Sequence, residues 1–148
     1  LFDKGIKVIG VDISEKCIEL AQLNNPDMQF ECADIGNMPF ENNSFDGLIS
    51  FYSIINTPKI YVNKIFNEFR RVLKTQGCLL VAVKAGTAEG YVDDLLGIKT
   101  KMYSALFTQE EITAYFQEAG FIMEFIDMRD PYNFEINYKR IFAIGNKF

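Results

Sequence analysis

The chain has 148 residues, of which 49% are hydrophobic and 24% are charged, and its formal net charge is -5. This length and composition are typical of one globular domain and exclude a disordered tail or a repeat array. The acidic balance makes DNA and RNA poor electrostatic partners, so no nucleic-acid partner is expected.

The cysteine and histidine counts exclude or disfavour several kinds of catalytic, metal and disulfide site. Cys17, Cys32 and Cys78 form an odd set without a Cys-x-x-Cys pair, which disfavours a disulfide framework and predicts a reducing, cytoplasmic location. The absence of histidine excludes Ser-His-Asp and Cys-His catalysis and disfavours a zinc site. We also expect no membrane partner, because the sequence shows neither a membrane-spanning run nor a signal peptide.

Apolar runs and helix signals alternate along the sequence. The opening residues read as the end of a helix that stops at Gly5. Strands are predicted at residues 7–11, 28–33, 45–53, 78–83, 121–128 and 138–145. Helices are predicted at 15–23 after a Ser14 cap, at 58–75 up to a stop at Gln76-Gly77, and from the capping box of Thr108 and Glu111 to Gly120. Between them, residues 85–106 are predicted to be loop with one short helix around 91–96.

This order predicts an α/β fold with a mostly parallel sheet in a single domain over residues 1–148. The last two strands have no helix between them, and a parallel crossover needs about a dozen residues. We therefore expect these two strands to pair antiparallel.

Two acids, Asp12 and Asp34, follow successive predicted strands. In open α/β sheets ligands bind beyond the carboxyl ends of the strands, where a carboxylate can accept hydrogen bonds from ribose hydroxyls or an exocyclic amine. Each acid taken alone is more simply a turn former or helix cap, as Asp12 beside Ser14 illustrates. The pair, at two successive strand ends, is stronger evidence of a ligand-binding site than either acid alone.

The motifs in this order resemble those of the class I S-adenosylmethionine (SAM)-dependent methyltransferases, in particular the small-molecule branch labelled type 11. The matching segments are V-I-G-V-D-I-S at 8–14, C-A-D-I at 32–35, M-P-F at 38–40 with S-F-D at 44–46, F-R-R-V-L-K-T-Q-G-C-L-L at 69–80, and A-G-F at 119–121. The resemblance implies a Rossmann-like sheet with strand order 3-2-1-4-5-7-6 and SAM as the cofactor.

The same resemblance implies roles for individual residues. Asp12 would hold the ribose hydroxyls of SAM, with Ile13 packing on the adenine. Asp34 would receive the adenine amine, with the backbone N–H of Ile35 facing the ring. Phe51 and Tyr52 would lie beside the methionine portion and the acceptor. Weaker candidates for substrate contacts are Glu89, Tyr91 and Tyr103. No catalytic residue is singled out, because the sulfonium itself supplies the reactivity.

The departure from the family is the glycine-rich loop after strand one, which precedes the matching segments and is not in this sequence. We expect the chain to be part of a longer protein that supplies roughly 30–50 further residues. Direct pairing of strands two and four, or complementation in a homo-oligomer, are the alternatives.

Three functions stay open from the sequence. The first is SAM-dependent methyl transfer to a small molecule. The second is a non-catalytic, methyltransferase-like binding or scaffold module. The third is a nucleotide- or NAD-binding domain, since an acid after the second strand also suits NAD ribose.

Overall fold

The structure is a computed structural model that describes residues 1–95 and 98–148. Its contacts divide the chain into two compact units, Leu1–Phe40 and Glu41–Phe148. No helix in the described residues is long and apolar enough to cross a membrane.

The first unit is a short βαβ arrangement. A 3-10 turn at Phe2–Lys4 ends at Gly5, whose φ is +76°. Strand β1 (Ile9–Asp12) leads into helix α1 (Glu15–Asn24) and then into strand β2 (Gln29–Cys32). The two strands are parallel, with Asp12 opposite Cys32. The predicted Ser14 cap is confirmed, because its hydroxyl accepts a 3.2 Å hydrogen bond from the backbone N–H of Cys17.

The second unit contains a four-stranded sheet, a separate hairpin and two helices. Its elements are β3 (Phe45–Phe51), α2 (Val62–Val72), β4 (Leu73–Lys84), β5 (Glu89–Leu95), β6 (Ile98–Ala105), α3 (Gln109–Glu118), β7 (Phe121–Arg129) and β8 (Arg140–Lys147). The sheet order is β3-β4-β8-β7. Strands β3 and β4 are parallel, whereas β8 runs antiparallel to both β4 and β7. The predicted antiparallel pairing of the last two strands is thus confirmed.

An aromatic core lies between the helices and one face of this sheet. Phe66 of α2 meets Phe116 of α3 at a ring distance of 5.3 Å, and Phe116 meets Phe121 of β7 at 5.6 Å. Both Phe66 and Phe116 are fully buried. Gly145 of β8 lets Phe116 approach the sheet, since a Cβ added there would lie 2.7 Å from the Phe116 ring.

The predicted capping box is also confirmed. The Thr108 hydroxyl accepts from the Glu111 N–H at 3.2 Å, and a Glu111 carboxylate oxygen accepts from the Thr108 N–H at 2.9 Å. Two donors at the start of α3 that lack helical partners are thereby satisfied.

The predicted helix over 58–75 is shorter in the structure. A 3-10 turn occupies Lys59–Tyr61, α2 ends at Val72, and β4 begins at Leu73. Leu73 is fully buried and pairs with Phe45 in the sheet, so burial in the sheet ends the helix earlier than its apolar periodicity suggests. Gln76-Gly77, read from sequence as the helix stop, lies inside β4, where Gln76 has a φ of +64°.

The predicted short helix around residues 91–96 was wrong. Residues 91–95 belong to β5, which pairs antiparallel with β6, while Leu96 and Gly97 lie outside the described residues. Tyr91 and Tyr103 are directly opposite one another, with their rings 5.3 Å apart. Cross-strand aromatic pairs of this kind stabilise a hairpin, and the partner strand β6 lies outside the segment 91–96 from which a helix was predicted.

We expect Gly145→Ala to destabilise the protein by about 1–3 kcal/mol, because the added methyl would overlap Phe116 and the Ile122 carbonyl oxygen. Gly47→Ala in β3 is the matched control, since the nearest atom to its new Cβ is 3.6 Å away. The control should change the free energy of unfolding by less than about 1 kcal/mol. Urea denaturation of both variants measures this, and equal effects would contradict the packing argument.

Candidate functional site

Asp12 and Asp34 lie at the same edge of the two-stranded sheet. Asp12 is the last residue of β1 and pairs with Cys32, two residues before Asp34. An oxygen of Asp12 accepts from the Ser14 N–H at 2.8 Å, and an oxygen of Asp34 accepts from the Gly36 N–H at 2.8 Å. Both acids therefore shape the turns that follow their strands, as the simpler interpretation predicted.

These hydrogen bonds within the turns leave one carboxylate oxygen of each acid able to accept from a ligand. Each carboxylate offers two oxygens, and the described part of the chain provides no side-chain partner for the second oxygen of Asp12 or Asp34. Both residues are exposed. The adjoining Ile13 is 71% exposed, which gives this edge an apolar surface beside the acids. A hollow of about 320 Å³ in the same unit is lined by Gln22 and Phe30 but by neither acid.

Phe51 and Tyr52 mark the carboxyl end of β3. Phe51 is 58% exposed, and its ring lies 4.5 Å from that of Tyr52. Tyr52 has a φ of +55°, a left-handed conformation that is costly for an aromatic residue. Its hydroxyl is buried and has no hydrogen-bond partner in the described residues. Backbone strain together with an unsatisfied buried hydroxyl is typical of a functional position.

The structure brings the three predicted substrate contacts together on the hairpin. The Tyr103 hydroxyl donates to the Glu89 carboxylate at 2.5 Å, and the Tyr91 ring packs edge-on against Tyr103. This bond is the main cause that lowers the pKa of Glu89 and raises the pKa of Tyr103 to about 12. At neutral pH the pair therefore consists of a carboxylate and a neutral phenol.

Glu89 also has a structural role that the sequence did not indicate. Its carboxylate accepts from the backbone N–H of Lys59 at 2.8 Å, at the start of the turn that leads into α2. The Lys59 ammonium in turn binds Glu111 at 2.7 Å and lies 5.1 Å from the centre of the Phe107 ring. Glu89 thus fixes the hairpin to this turn and holds Tyr103 in place.

A charged cluster where β7 ends and β8 begins was not predicted from the sequence. Arg129, the last residue of β7, donates two hydrogen bonds of 2.7 and 2.8 Å to Glu135. Arg140, the first residue of β8, makes a 3.2 Å ion pair with the same carboxylate. Hydrogen bonding from Arg129 lowers the pKa of Glu135 to about 2. The signal was an arginine at each end of the segment 130–139, but only strand register shows that the two are neighbours.

No group of three or more cysteine, aspartate or glutamate side chains in the described residues is arranged to hold a metal ion. The polar groups at the strand ends are carboxylates, phenols and guanidinium groups, which can form hydrogen bonds with an organic ligand.

We expect Glu89→Gln to lower the pKa of Tyr103 from about 12 towards its ordinary value near 10. The amide can still accept the hydrogen bond, but the negative charge that opposes phenolate formation is lost. An NMR titration of ring-labelled tyrosine measures this, with Tyr103→Phe assigning the signal. Glu41→Gln, which changes an exposed carboxylate of the same unit, should leave the Tyr103 pKa unchanged. An unaltered Tyr103 pKa in Glu89→Gln would refute the coupling.

We expect Glu135→Gln to destabilise the protein at pH 7, with a difference from wild type that fades in acid. A lowered folded-state pKa gives stabilisation that is full above the unfolded value of about 4.5 and is lost as the pH falls through about 2. Thermal midpoints of both proteins between pH 7 and pH 2 measure this. A difference that does not depend on pH would rule out the charge as its source.

The sequence is similar to a methyltransferase family and to individual methyltransferases. A family model described as a methyltransferase domain matches residues 1–81. The chain is 32% identical over 94 residues to 24-methylenesterol C-methyltransferase 3 of Arabidopsis thaliana, covering 60% of this chain and 25% of that protein. It is 31% identical over 80 residues to a demethylmenaquinone methyltransferase of Paenarthrobacter aurescens, covering 54% and 31%. The chain thus matches about a quarter to a third of the length of these relatives.

The fold has similar neighbours among solved structures. A SAM-dependent methyltransferase structure from Methanosarcina mazei superposes with a TM-score of 0.88 at 16% identity, covering 98% of this chain and 84% of that one. This likeness confirms the predicted Rossmann-like α/β fold, and β3-β4-β8-β7 corresponds to the 4-5-7-6 part of the expected strand order. Because the methyltransferase-domain model covers more than half of its residues, the chain belongs to the methyltransferase domain family.

Proposed function

We propose that this chain forms part of a SAM-dependent methyltransferase that acts on a small-molecule acceptor. The observation that carries the proposal is the pair of strand-end acids Asp12 and Asp34, each with one carboxylate oxygen engaged by its own turn and one without a partner in the described residues. In a chain of this family, such acids are suited to a nucleoside.

The residues around the acids fit the nucleoside half of SAM. The second oxygen of Asp12 can accept from ribose hydroxyls, and that of Asp34 can accept from an exocyclic amine. The exposed side chain of Ile13 offers a surface for the adenine ring, and Ile35 provides a backbone N–H next to Asp34. Because the Ser14 and Gly36 N–H groups each fix one carboxylate oxygen, both acids are held in place before the cofactor arrives.

The remaining roles in methyl transfer are mainly those of positioning. When bound, SAM supplies an electrophilic methyl group on its sulfonium, so the protein has to orient the reactants and exclude water. The exposed ring of Phe51 provides an apolar surface at the carboxyl end of β3, and the unsatisfied hydroxyl of Tyr52 can hold a polar group there. Glu89, Tyr91 and Tyr103 serve as acceptor contacts, with Glu89 accepting a proton only when the acceptor needs a base.

The proposed setting is the cytoplasm. All three cysteines are free and exposed, which suits a reducing compartment. The relatives named above act on a sterol and on demethylmenaquinone according to their names. A small organic acceptor is therefore the natural proposal for this chain, and the net charge of -5 disfavours a nucleic-acid acceptor.

We expect Asp12→Asn and Asp34→Asn each to weaken SAM binding by about 10- to 100-fold, the effect of losing charged hydrogen bonds. Asparagine keeps an oxygen that can accept from the Ser14 or Gly36 N–H, so the turns are preserved while the charge is removed. Isothermal titration calorimetry with SAM measures the affinity. Asp27→Asn, which neutralises an exposed acid of the same unit, is the matched control and should bind like wild type.

The outcomes separate the alternatives. Wild-type protein that shows no SAM binding at millimolar concentration would favour a non-catalytic module. Preferential binding of NAD in a competition titration would favour a dinucleotide-binding domain. Equal affinities in the Asp12, Asp34 and Asp27 variants would show that the two acids do not hold the nucleoside.

A further inference from the structure

Three cationic residues lie directly opposite one another across the sheet of the second unit. Lys84 of β4 pairs with Arg140 of β8, and Arg140 pairs with Arg129 of β7. Residues paired in this way project from the same face of a sheet. We call Lys84, Arg140 and Arg129 the cationic row. It lies at the carboxyl end of β4, the end at which ligands bind in open α/β sheets.

This arrangement has an electrostatic cost. Like charges directly opposite one another destabilise a pair of strands. Glu135 compensates for part of the repulsion, since it accepts two hydrogen bonds from Arg129 and forms the ion pair with Arg140. Asp127, two residues before Arg129 on the same face of β7, adds a second negative charge. Three positive and two negative charges leave a local excess of one positive charge, in a chain whose net charge is -5.

One cationic group of the row, Lys84, can still bind an anion. Lys84 is half-buried, and no carboxylate in the described residues pairs with it. Burial, and then the neighbouring Arg140, lower its pKa. Arg140, in contrast, is only 5% exposed and is already engaged, since its Nε lies 3.2 Å from Glu135 in the ion pair and a terminal nitrogen donates to the backbone carbonyls of Ile136 and Tyr138. A half-buried ammonium without a carboxylate partner is costly unless a ligand satisfies it.

Aromatic rings surround the row. The Lys84 ammonium lies 5.6 Å from the centre of the Tyr138 ring, and the Arg129 guanidinium lies 4.1 Å from that of Tyr132. Phe142, two residues along β8 from Arg140, faces the exposed Phe51 at a ring distance of 6.4 Å. Flat apolar surfaces beside a lysine that has no carboxylate partner suit a ligand that combines a ring with an anionic group.

We propose that the cationic row binds the carboxylate of an aromatic acid, with Lys84 as the donor and the neighbouring rings as the apolar surface, and that this aromatic acid is the methyl acceptor. In that transfer a ring hydroxyl of the acid would lose its proton and form the new O–C bond as the C–S bond to the methyl group of SAM breaks, leaving S-adenosylhomocysteine. The second part rests on the proposed function, because it identifies the acceptor class of the same reaction. The first part, an anion site, stands independently of SAM.

The test uses benzoate as the probe and its neutral isostere benzamide as the comparison, both titrated into the full chain and followed by NMR. Wild-type protein should bind benzoate at least about tenfold more tightly than benzamide. Lys84→Gln should reduce benzoate affinity by about tenfold and leave benzamide affinity unchanged, while Lys84→Arg should retain the preference for benzoate.

Lys101→Gln is the matched control, because it removes the same charge from a lysine that also lies over a tyrosine ring, 4.8 Å from the centre of Tyr91. It should leave the affinity for benzoate unchanged. Equal binding of benzoate and benzamide, or an equal loss in Lys84→Gln and Lys101→Gln, would overturn the anion site. Amide spectra of each variant verify that the fold is retained.

SAM titrations on the same samples separate the two proposals. SAM binding without benzoate discrimination would overturn the cationic row as an acceptor site and leave methyl transfer standing. Benzoate discrimination without SAM binding would support the anion site and overturn the assignment of the aromatic acid as methyl acceptor. Binding of both, together with more rapid loss of SAM when a hydroxybenzoate is added, would support the full proposal.

Discussion

Strand β4 pairs in parallel with β3 on one side and antiparallel with β8 on the other, and this double pairing determines where the functional side chains of the second unit lie. The parallel partner brings the carboxyl end of β3, with Phe51 and Tyr52, to the carboxyl end of β4. The antiparallel partner starts at that same edge, so Arg140 comes to lie beside Lys84. Phe116 fits against the other face only because Gly145 leaves room for its ring.

The strand-end acids show how one residue can serve both folding and binding. A carboxylate has more acceptor sites than a single turn can use. Asp12 and Asp34 each give one oxygen to a backbone N–H and keep the other free of described partners. The choice between a structural and a ligand-binding interpretation, which the sequence left open, is therefore not exclusive. The turn bond orients the carboxylate, and an oriented carboxylate binds a nucleoside with less loss of entropy.

Glu89 and Glu135, both in the second unit, differ in the groups that compensate their negative charge. Glu89 accepts from a phenol and a backbone N–H, which keeps the hairpin attached to the turn before α2. Glu135 accepts hydrogen bonds from Arg129 and forms an ion pair with Arg140, two arginines that strand pairing places next to one another. In the first case the carboxylate organises neutral donors. In the second it offsets repulsion incompletely, and the remaining positive charge is what makes the cationic row a candidate for binding anions.

The sequence by itself determined the local features: the Ser14 and Thr108 caps, the acids Asp12 and Asp34 at or just after the ends of β1 and β2, the antiparallel final pair and the family. Each of these depends on residues close together in the chain, where side-chain chemistry and spacing act directly. The β5–β6 hairpin, the early end of α2 at Val72 and the cationic row were decided only by the tertiary structure. They depend on which strands pair and in what register. Burial of Leu73 in the sheet overrides the helical periodicity of its segment, and strand pairing places Lys84 opposite Arg140, a residue 56 positions away.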